Sequence, residues 1–451
     1  MRISTGRFQP TVLVASLSHT GRRRSVLKIL TRNIDRPNPA HIDSYLVNEG
    51  YVALPRALNE MGPEDVLEEV KLSRLRGRGG AGFPAGMKWD FASRDRRSPK
   101  FIICNADEGE PGTFKDRVLI ENDPHAILEG MALAAYAVGA EYGFIYIRGE
   151  YPFGARVLER AIKEAEERSF LGENILNSGF NFTITVHRGA GAYVCGEETA
   201  LIESLEGKRG QSRIRPPFPV NVGYSDLPTV VNNVETLASI PQILLRGGDW
   251  YAGIGTPECP GTKLFSVSGH VVNPGVYELP MGVTLRELVF EHAGGMRDNR
   301  SFKAAFPGGA SSACLDESQL DVKLDFNALA AAGSMLGSGA VMVLDDTADM
   351  VKVTHVLIKF FEHESCGKCT PCREGLFWVR RIFDRILEGR GAMADLDLLS
   401  DICESIRTTS FCGLGEASVS CVTSTMEKFR DEYLGYLKGE EPDGGTLEES
   451  A

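Results

Sequence analysis

The sequence has 451 residues and a formal net charge of −12, with 43% hydrophobic and 24% charged residues. These values predict an ordinary soluble globular protein of two to four domains, and the negative charge argues against nucleic acid or an anionic membrane as the main partner. No apolar run is long enough to span a bilayer, so no direct membrane insertion is expected. Ten cysteines are too few for a disulfide scaffold and lie mainly toward the C-terminal end, which favours a reducing compartment and metal-binding thiolates.

The first segment of the chain is basic. Residues 1–34 contain seven Arg or Lys and no Asp or Glu. Such a start can mark a transit peptide, but the stretch lacks a small-residue cleavage pattern, so a basic tail or interface arm is the preferred interpretation. From about residue 41 to residue 71, apolar residues recur at helical spacing, and Gly62-Pro63 predicts a helix start.

Two unusual segments flank a short apolar run, Phe101–Cys104, which has the length and β-branching of a buried strand. Five glycines precede it within residues 77–86, and Arg78 and Lys88 lie among or beside them, a combination that suits a phosphate. The acidic loop 105–113 follows, at the end of a strand where open α/β sheets bind ligands. Together, the glycine run and the acidic loop predict a nucleotide-like ligand with its phosphate toward the glycines. Taken alone, the glycine run fits a flexible surface loop equally well.

Strand and helix signals alternate between residues 101 and 245. This alternation predicts a layered α/β fold with a mainly parallel sheet. The predicted strands are Phe101–Cys104, Gly143–Arg148 and Phe180–Val186, and the predicted helices are Ala126–Val138, Phe153–Arg168 and Cys195–Leu205.

A second glycine-rich turn, Gly189–Glu198, repeats the chemistry of the first, with Glu197 and Glu198 entering a helix. The helix dipole alone would stabilise such a carboxylate pair, which is the simpler interpretation. Farther along, Asn232 and Asn233 offer amide donors and acceptors to a ligand, although an asparagine-containing turn explains them equally well.

The composition changes near residues 257–263, and the following pattern is that of a small β-grasp domain. It has predicted strands at Leu264–Val272, within 273–280 and at Ala340–Leu344, and a predicted helix at Thr284–His292. We expect this domain to be a spacer without chemistry of its own. The later pattern is helical, with helices predicted at Val353–His363, Glu374–Leu387, Leu396–Ile406 and Ser418–Leu437.

A C-x-x-C-x-x-C triplet at residues 366–372 places three thiolates close together. A cubane iron–sulfur cluster needs four converging thiolates, whereas a zinc site usually shows two separate cysteine pairs. Cys403 and Cys421 fall in helical patterns, but Cys412 lies in a glycine-rich loop whose N–H groups can bond cluster sulfur. The predicted [4Fe–4S] ligands are Cys366, Cys369, Cys372 and Cys412.

Several long motifs occur together: RGRGGAGFPAG-x-KW, NADEGEPGTFKDR, GAYVCGEETAL, PPFP, NNVET and SCGKCTPCR. They resemble those of the NADH- and FMN-binding flavoprotein subunit of NADH:quinone oxidoreductase (respiratory complex I). The same family includes the diaphorase subunits of NAD-linked hydrogenases and formate dehydrogenases. The resemblance covers roughly residues 45–438, and motifs so long and widely spaced are highly specific in combination.

The resemblance implies an α/β fold class with three domains. A Rossmann-like FMN- and NADH-binding domain with a mainly parallel sheet comes first, a ubiquitin-like β-grasp domain follows, and a helical iron–sulfur domain ends the fold. The predicted divisions are a basic arm over 1–44, the α/β domain over 45–256, the β-grasp domain over 257–346, the [4Fe–4S] domain over 347–438 and a disordered acidic tail over 439–451.

The resemblance also implies the cofactor contacts. Bound FMN takes the hydride, so no catalytic side chain is predicted, and Glu108 is the nearest candidate. The family spacing also selects Cys412, at 412 − 372 = 40 residues after the third ligand. The implied FMN contacts are Gly77, Arg78, Gly79, Lys88, Asn105, Asp107, Gly196, Glu197, Glu198, Asn232, Asn233 and Thr236. The implied NADH contacts are Phe83, Phe91, Glu108, Glu110, Tyr193 and Phe218.

The activity implied is that of an NADH dehydrogenase (diaphorase) subunit, in which NAD(H) is the substrate and electrons pass singly from FMN to the [4Fe–4S] cluster. Glu108 and Glu110 are expected to favour a ribose 2′-hydroxyl over a 2′-phosphate, and hence NADH over NADPH by roughly 10²-fold. The expected partners are a thioredoxin-like [2Fe–2S] subunit and further redox subunits. The expected location is the cytoplasm, or the inner face of a membrane through those partners.

Two alternatives remain open. Electrons could pass to or from a hydrogenase, a formate dehydrogenase or an electron-bifurcating complex instead of a quinone-linked one. A non-enzymatic scaffold stapled by zinc is the alternative from a different class. The two glycine-rich turns, the acidic loop and the Asn232-Asn233 pair argue against it, because a scaffold has no use for them.

Overall fold

The computed structural model describes residues 27–437, which divide after Asp346 into two compact units. The larger unit contains eleven strands: β1 Phe101–Ala106, β2 Tyr142–Ile147, β3 Thr183–Arg188, β4 Thr229–Asn233, β5 Gly255–Thr256, β6 Cys259–Pro260, β7 Thr262–Gly269, β8 Gly275–Pro280, β9 Phe302–Phe306, β10 Leu315–Asp316 and β11 Ala340–Asp345. Its α-helices are α1 Ile42–Val47, α2 Ala53–Glu60, α3 Pro63–Leu72, α4 Ala85–Ser93, α5 Lys115–Asn122, α6 Pro124–Val138, α7 Pro152–Glu167, α8 Glu198–Leu205, α9 Val234–Arg246, α10 Gly248–Ala252 and α11 Phe326–Ala331.

A four-stranded parallel sheet organises the first domain, in the order β3-β2-β1-β4. The predicted α/β fold with a parallel sheet is therefore confirmed. Strand β1 lies between β2 and β4, and its register pairs Asn105 with Asn233 of β4. Because all four strands run the same way, their carboxyl ends meet at one edge of the sheet, and the predicted ligand residues follow β1 and β4 there.

Helices α5 and α9, which the sequence prediction missed together with α4 and α10, complete this domain. Helix α9 packs against α6, an alanine-rich helix that is buried along nearly its whole length. The two come so close that a Cβ on Gly130 of α6 would lie 2.0 Å from the Leu237 carbonyl oxygen of α9. Glycine is therefore required at this crossing.

The second sheet has the order β10-β9-β11-β7-β8, with β7 and β11 parallel and the other pairs antiparallel. This arrangement is that of a β-grasp fold, so the prediction is confirmed. The predicted helix at Thr284–His292 is a short π-helical segment, Glu287–His292. Strands β9 and β10 were not predicted, because their alanine and glycine surroundings carry little β signal.

Part of the predicted basic arm belongs to the core. Ile29 and Leu30 are buried in the same hydrophobic cluster as the helices of the α/β domain. The backbone N–H groups of Ile29, Leu30 and Thr31 donate to the buried Glu278 carboxylate of β8, each at 2.9 Å. A division at residue 44 therefore does not separate an independent arm. The rest of that prediction, residues 1–26, and the predicted tail 439–451 lie outside the described residues.

The smaller unit is helical, as predicted. The long helix predicted at Ser418–Leu437 is broken in two, since it ends at Lys428 and resumes at Arg430. Across residues 27–437, no helix combines the length and apolar character needed to cross a membrane. The helices of this unit are α12 Met350–Glu364, α13 Thr370–Leu387, α14 Met393–Thr409, α15 Gly413–Ser418, α16 Ser420–Lys428 and α17 Arg430–Gly435.

Candidate functional site

The first glycine-rich loop lies against the carboxyl end of β4. The backbone N–H of Arg78 donates to the Thr236 hydroxyl at 2.9 Å, at the start of α9. A Cβ on Gly79 would lie 3.0 Å from the Asn233 Cβ and 3.4 Å from its Cγ. The loop backbone thus approaches Asn233 as closely as a glycine permits, and four predicted FMN contacts meet here.

Arg78 is fully buried and faces the β-grasp side of the loop. Its Nη2 donates to the Pro260 carbonyl at 2.6 Å and to the Tyr251 hydroxyl at 3.2 Å. Its Nε and Nη1 are buried without a hydrogen-bond acceptor. A buried cation with two nitrogens whose N–H groups lack acceptors matches the donor chemistry that a phosphate requires.

Three further predicted residues join the same edge of the sheet. Asn105 Nδ2 donates to the Gly196 carbonyl at 2.8 Å, which ties the end of β1 to the second glycine-rich turn. Lys88 of α4 reaches that turn as well, with its Nζ 2.9 Å from Glu198 Oε2. Asn232 accepts a hydrogen bond from the Trp89 indole at 2.8 Å.

One carboxylate oxygen of Glu197, at the start of α8, accepts no hydrogen bond. Its Oε2 accepts the Thr199 and Ala200 N–H groups at 3.1 and 3.0 Å, so the carboxylate caps the helix, as the simpler interpretation expected. Its Oε1 is buried without a hydrogen-bond donor, and the Arg215 Nη1 stands 3.7 Å away. The capped carboxylate therefore still has an oxygen available to a ligand N–H or O–H.

The two acidic-loop glutamates have different surroundings. Glu108 is buried; its Oε1 accepts the Asp116 N–H at 2.8 Å, and its Oε2 accepts the Arg117 N–H and the Tyr151 hydroxyl, each at 3.1 Å. Burial, with the nearby Asp116 charge, raises the pKa of Glu108 to about 7. Glu108 thus caps α5 through both oxygens, so its predicted contact with the nucleotide ribose has no support in this geometry.

Glu110 is partly exposed and links Tyr193, a predicted NADH contact, to the β-grasp domain. Its Oε2 accepts the Tyr193 hydroxyl at 2.6 Å, and its Oε1 accepts the backbone N–H and hydroxyl of Ser311 at 2.8 and 3.0 Å. Burial raises the pKa of Glu110, while these donors act in the opposite direction. Both oxygens of each glutamate therefore accept hydrogen bonds, and only the partial exposure of Glu110 distinguishes it from the buried Glu108.

The remaining predicted NADH contacts are exposed aromatic side chains. Phe83, Phe91 and Phe218 have relative exposures of 44%, 43% and 50%. Their ring faces are accessible and suit purine or nicotinamide rings.

A buried ionic network under the site was missed by the sequence prediction. Lys115 Nζ lies 2.6 Å from Asp116 Oδ1 and 2.8 Å from Glu235 Oε2, and Glu235 also contacts Lys263 Nζ at 3.1 Å. Burial opposes the charge of Lys115, but Asp116 and Glu235 outweigh it and raise the pKa. Asp116 also accepts the Asn233 Nδ2 at 2.7 Å, so the network holds Asn233 in place. The only sequence signal was charge inside otherwise apolar elements.

The four predicted cluster cysteines come together in the smaller unit. Cys369 and Cys412 are the N-cap residues of α13 and α15, and Cys372 lies in the first turn of α13. Burial raises the pKa of the Cys372 thiol to about 11, and the charges of Cys369, Cys412 and Cys366 add to that rise. Burial alone raises the pKa of Cys403, to about 12. Cys403 therefore stands apart from the four.

These four thiols fit an iron–sulfur cluster as a donor set. Four soft thiolates are what a [4Fe–4S] cluster takes, one for each iron, so its ligands stand farther apart than ligands around one ion. Among residues 27–437, no three His, Cys, Asp or Glu side chains are arranged to hold a single metal ion. None of the ten cysteines, all of which lie in this range, forms a disulfide.

Family models match three segments of the chain. Residues 70–242 match the Nuo51 FMN-binding domain, residues 263–343 match the SLBB domain, and residues 352–436 match the NADH-ubiquinone oxidoreductase-F iron–sulfur binding region. The first match contains both glycine-rich turns and the acidic loop, and the last contains all four cysteines.

Named relatives match nearly the whole chain. The F 2 subunit of NADH-quinone oxidoreductase from Rhizobium meliloti is 53% identical over 91% of this chain and 97% of its own. The HndC subunit of an NADP-reducing hydrogenase from Solidesulfovibrio fructosivorans is 48% identical over 93% of this chain and 86% of its own. A crystal structure of an NAD⁺-reducing [NiFe]-hydrogenase in the H₂-reduced state aligns with a TM-score of 0.81 at 39% identity, covering 92% of this chain and 67% of that one.

Proposed function

This chain belongs to the family of the NADH-quinone oxidoreductase F subunits, and we propose that the carboxyl edge of its parallel sheet holds FMN with NADH beside it. The chain is an NADH dehydrogenase subunit that uses FMN and a [4Fe–4S] cluster. Bound FMN supplies the chemistry, because it takes up a hydride and can release electrons one at a time. The chain's own residues bind, orient and shield the reactants.

One observation carries the assignment of the flavin site. Residues from four separate segments, the glycine loop with the nearby Lys88, the end of β1, the second turn, and β4 with the start of α9, are joined by hydrogen bonds and ion pairs at one edge of the sheet. Their exposed backbone, unused Arg78 donors and unused Glu197 acceptor provide phosphate-binding and ring-binding groups together. We assign the FMN phosphate to the glycine side and the flavin ring to the side of Asn105 and Glu197.

The nucleotide is assigned to the neighbouring surface. Phe83, Phe91 and Phe218 supply faces for stacking, and Tyr193 with Glu110 supplies a hydroxyl and a carboxylate beside them. A carboxylate accepts hydrogen bonds from ribose hydroxyls and repels a 2′-phosphate. Glu108 instead keeps α5 in place, and with it the Asp116 carboxylate that orients Asn233.

The four cysteines are assigned as the cluster ligands. Cys369 and Cys412 occupy the N-cap positions of α13 and α15, where the N-terminal ends of the helices favour the negative charge of a bound cluster.

Partner subunits complete the proposal. The relatives are named as subunits of larger enzymes, so this chain works with redox partners. We propose a thioredoxin-like [2Fe–2S] subunit as one of them, and the cytoplasm, or the inner face of a membrane reached through partners, as the location. A hydrogenase-type assembly is the second candidate, because a hydrogenase subunit matches at 48% identity. Purification of the native complex, followed by identification of the co-purifying subunits, distinguishes a quinone-linked from a hydrogen-linked assembly.

The flavin site can be tested with two matched asparagine variants. Asn105 Nδ2 donates to a backbone carbonyl inside the proposed site, and Asn122 Nδ2 donates to the Val118 carbonyl in α5, each at 2.8 Å. Asn105→Ala should lower the FMN content of the purified protein, measured by absorbance after release, whereas Asn122→Ala should keep it. Equal FMN content in both variants would contradict the assignment.

A further inference from the structure

A serine hydroxyl lies against one of the four cluster cysteines. The Cys372 thiol donates to Ser365 Oγ at 3.2 Å, and this contact joins the C-cap residue of α12 to the first turn of α13. The Gly367 N–H also donates to Ser365 Oγ, at 3.4 Å. The serine oxygen therefore accepts from the backbone of the cysteine motif and contacts the sulfur of the third cysteine.

The turn between the two helices is held in the shape that this contact needs. Gly367 has a φ of +77°, which glycine adopts without strain. The Arg373 Nη1 donates to the Gly367 carbonyl at 2.7 Å, so the start of α13 holds the turn from the other side. Ser365 and Cys372 thus stay together although they lie seven positions apart.

Cys372 differs from the other three cluster cysteines in its burial. It is 6% exposed, whereas Cys366, Cys369 and Cys412 are only partly buried. Water can donate hydrogen bonds to a partly exposed sulfur, but a buried sulfur depends on donors within the protein. The structure places the Ser365 hydroxyl beside the buried Cys372 sulfur.

Ligation of iron reverses the direction of this hydrogen bond. A cysteine binds iron as a thiolate, which has no proton to donate and can only accept. The Ser365 oxygen accepts from Gly367, and its own proton can point at the Cys372 sulfur across the same contact. The hydroxyl then becomes the donor and the sulfur becomes the acceptor.

We propose that the Ser365 hydroxyl donates a hydrogen bond to the Cys372 sulfur when the cluster is bound, and that this bond raises the reduction potential of the [4Fe–4S] cluster. The proposal rests on the assignment of the four cysteines as cluster ligands. One-electron reduction adds a negative charge that spreads over the cluster and its ligand sulfurs. A hydroxyl donor stabilises this more negative state more than the oxidised one. Ser365 therefore favours electron transfer from the flavin to the cluster.

The experiment separates this role from a purely structural role of Ser365 in the turn after α12. It uses the full-length protein loaded with FMN and the cluster, and compares Ser365→Ala with Ser365→Thr, which keeps a hydroxyl. Ser418→Ala is the matched control, because the Ser418 hydroxyl donates to the Gly415 carbonyl at 2.7 Å in the same unit. Iron and sulfide analysis measures the cluster content, and an EPR-monitored redox titration measures the midpoint potential. Pulsed EPR in H₂O and in D₂O measures the exchangeable protons coupled to the reduced cluster.

Ser365→Ala should keep the iron and sulfide content but lower the midpoint potential. The expected change is about tenfold in the reduced:oxidised ratio at a fixed potential, or about 59 mV for a one-electron couple, since a hydrogen bond to a charged group contributes on that order. The variant should also lose one exchangeable-proton coupling. Ser365→Thr should restore both the potential and the coupling, and Ser418→Ala should change neither.

An intact cluster with an unchanged potential in Ser365→Ala would overturn the inference. A potential lowered equally in Ser365→Thr or in Ser418→Ala would also overturn it, because a general change of packing would then explain the shift. Loss of the cluster from Ser365→Ala would show that the residue holds the cluster instead of tuning it, and would overturn the inference as well. An unaltered EPR signal in Cys372→Ser would contradict the ligand assignment itself, and the inference with it.

Discussion

Substitution of Gly79 tests whether the glycine loop and Asn233 form one FMN site. An alanine Cβ at this position would stand 3.0 Å from Asn233 Cβ and 3.4 Å from its Cγ, with Nδ2 at 3.6 Å. Asn233 cannot easily yield, because its Nδ2 donates to Asp116 and its Oδ1 caps the Glu235 N–H at 3.0 Å. The loop or the asparagine must therefore shift by a few tenths of an ångström.

Overpacking of this kind costs about 1–3 kcal/mol. If the strain is relieved by displacing residues that bind FMN, the same energy is lost from binding, and the FMN Kd should rise about 5- to 150-fold. The assay is titration of flavin-free protein with FMN, followed by quenching of flavin fluorescence. Gly253→Ala is the control, since a Cβ there meets nothing closer than 3.4 Å. An unchanged Kd in Gly79→Ala, or an equal rise in Gly253→Ala, would refute the reasoning.

Two further predictions concern the cluster and the buried carboxyl group. Cys412→Ser should abolish or severely destabilise the cluster while NADH still bleaches the flavin, whereas Cys403→Ser should keep the cluster, because Cys403 lies apart from the other thiols. Iron and sulfide analysis measures the cluster, and stopped-flow absorbance measures the bleaching of the flavin. Loss of the cluster only in the Cys403 variant would contradict the ligand set. The folded pKa of Glu108, about 7, lies above its ordinary 4.5, so the stability due to this group falls as pH rises from about 4.5 to about 7. The difference of 7 − 4.5 = 2.5 corresponds to about 3 kcal/mol. The Tm of Glu108→Gln minus that of the unaltered protein should therefore increase over this pH range and level off above it, and parallel Tm profiles would count against the assigned pKa.

Long motifs and regular patterns were sufficient for most of the fold. The strand Phe101–Cys104 was recognised because it is apolar and β-branched, and it begins at the residue where β1 begins. Strand β4 was missed because its five residues end in two asparagines, which carry a turn signal. The proximity of Cys366, Cys369 and Cys372 could be predicted because all three lie within one seven-residue motif. Their proximity follows from this spacing and does not depend on how distant parts of the chain pack together.

The contacts within the site could not be predicted to the same depth. Glu108 and Glu110 are two residues apart in the same loop, and the sequence gives them the same chemistry. Only packing separates them, because Glu108 faces the start of α5 and Glu110 faces Ser311, about two hundred residues away in the chain. The partners of Lys115, Glu235 and Lys263 were hidden for the same reason.

The bonds between residues 29–31 and Glu278 have a consequence for synthesis. They join positions up to 249 residues apart, so the first part of the folded chain to leave the ribosome waits for one of the later strands. At about 5–20 residues per second, that wait lasts roughly 12–50 s. During this time Ile29 and Leu30 can reach the helices that bury them, but their backbone N–H groups lack the carboxylate that will accept them. The α/β domain therefore completes its N-terminal edge only after the β-grasp domain has begun to form, and a nascent chain stalled before residue 278 should be more sensitive to proteases at that edge than the finished protein.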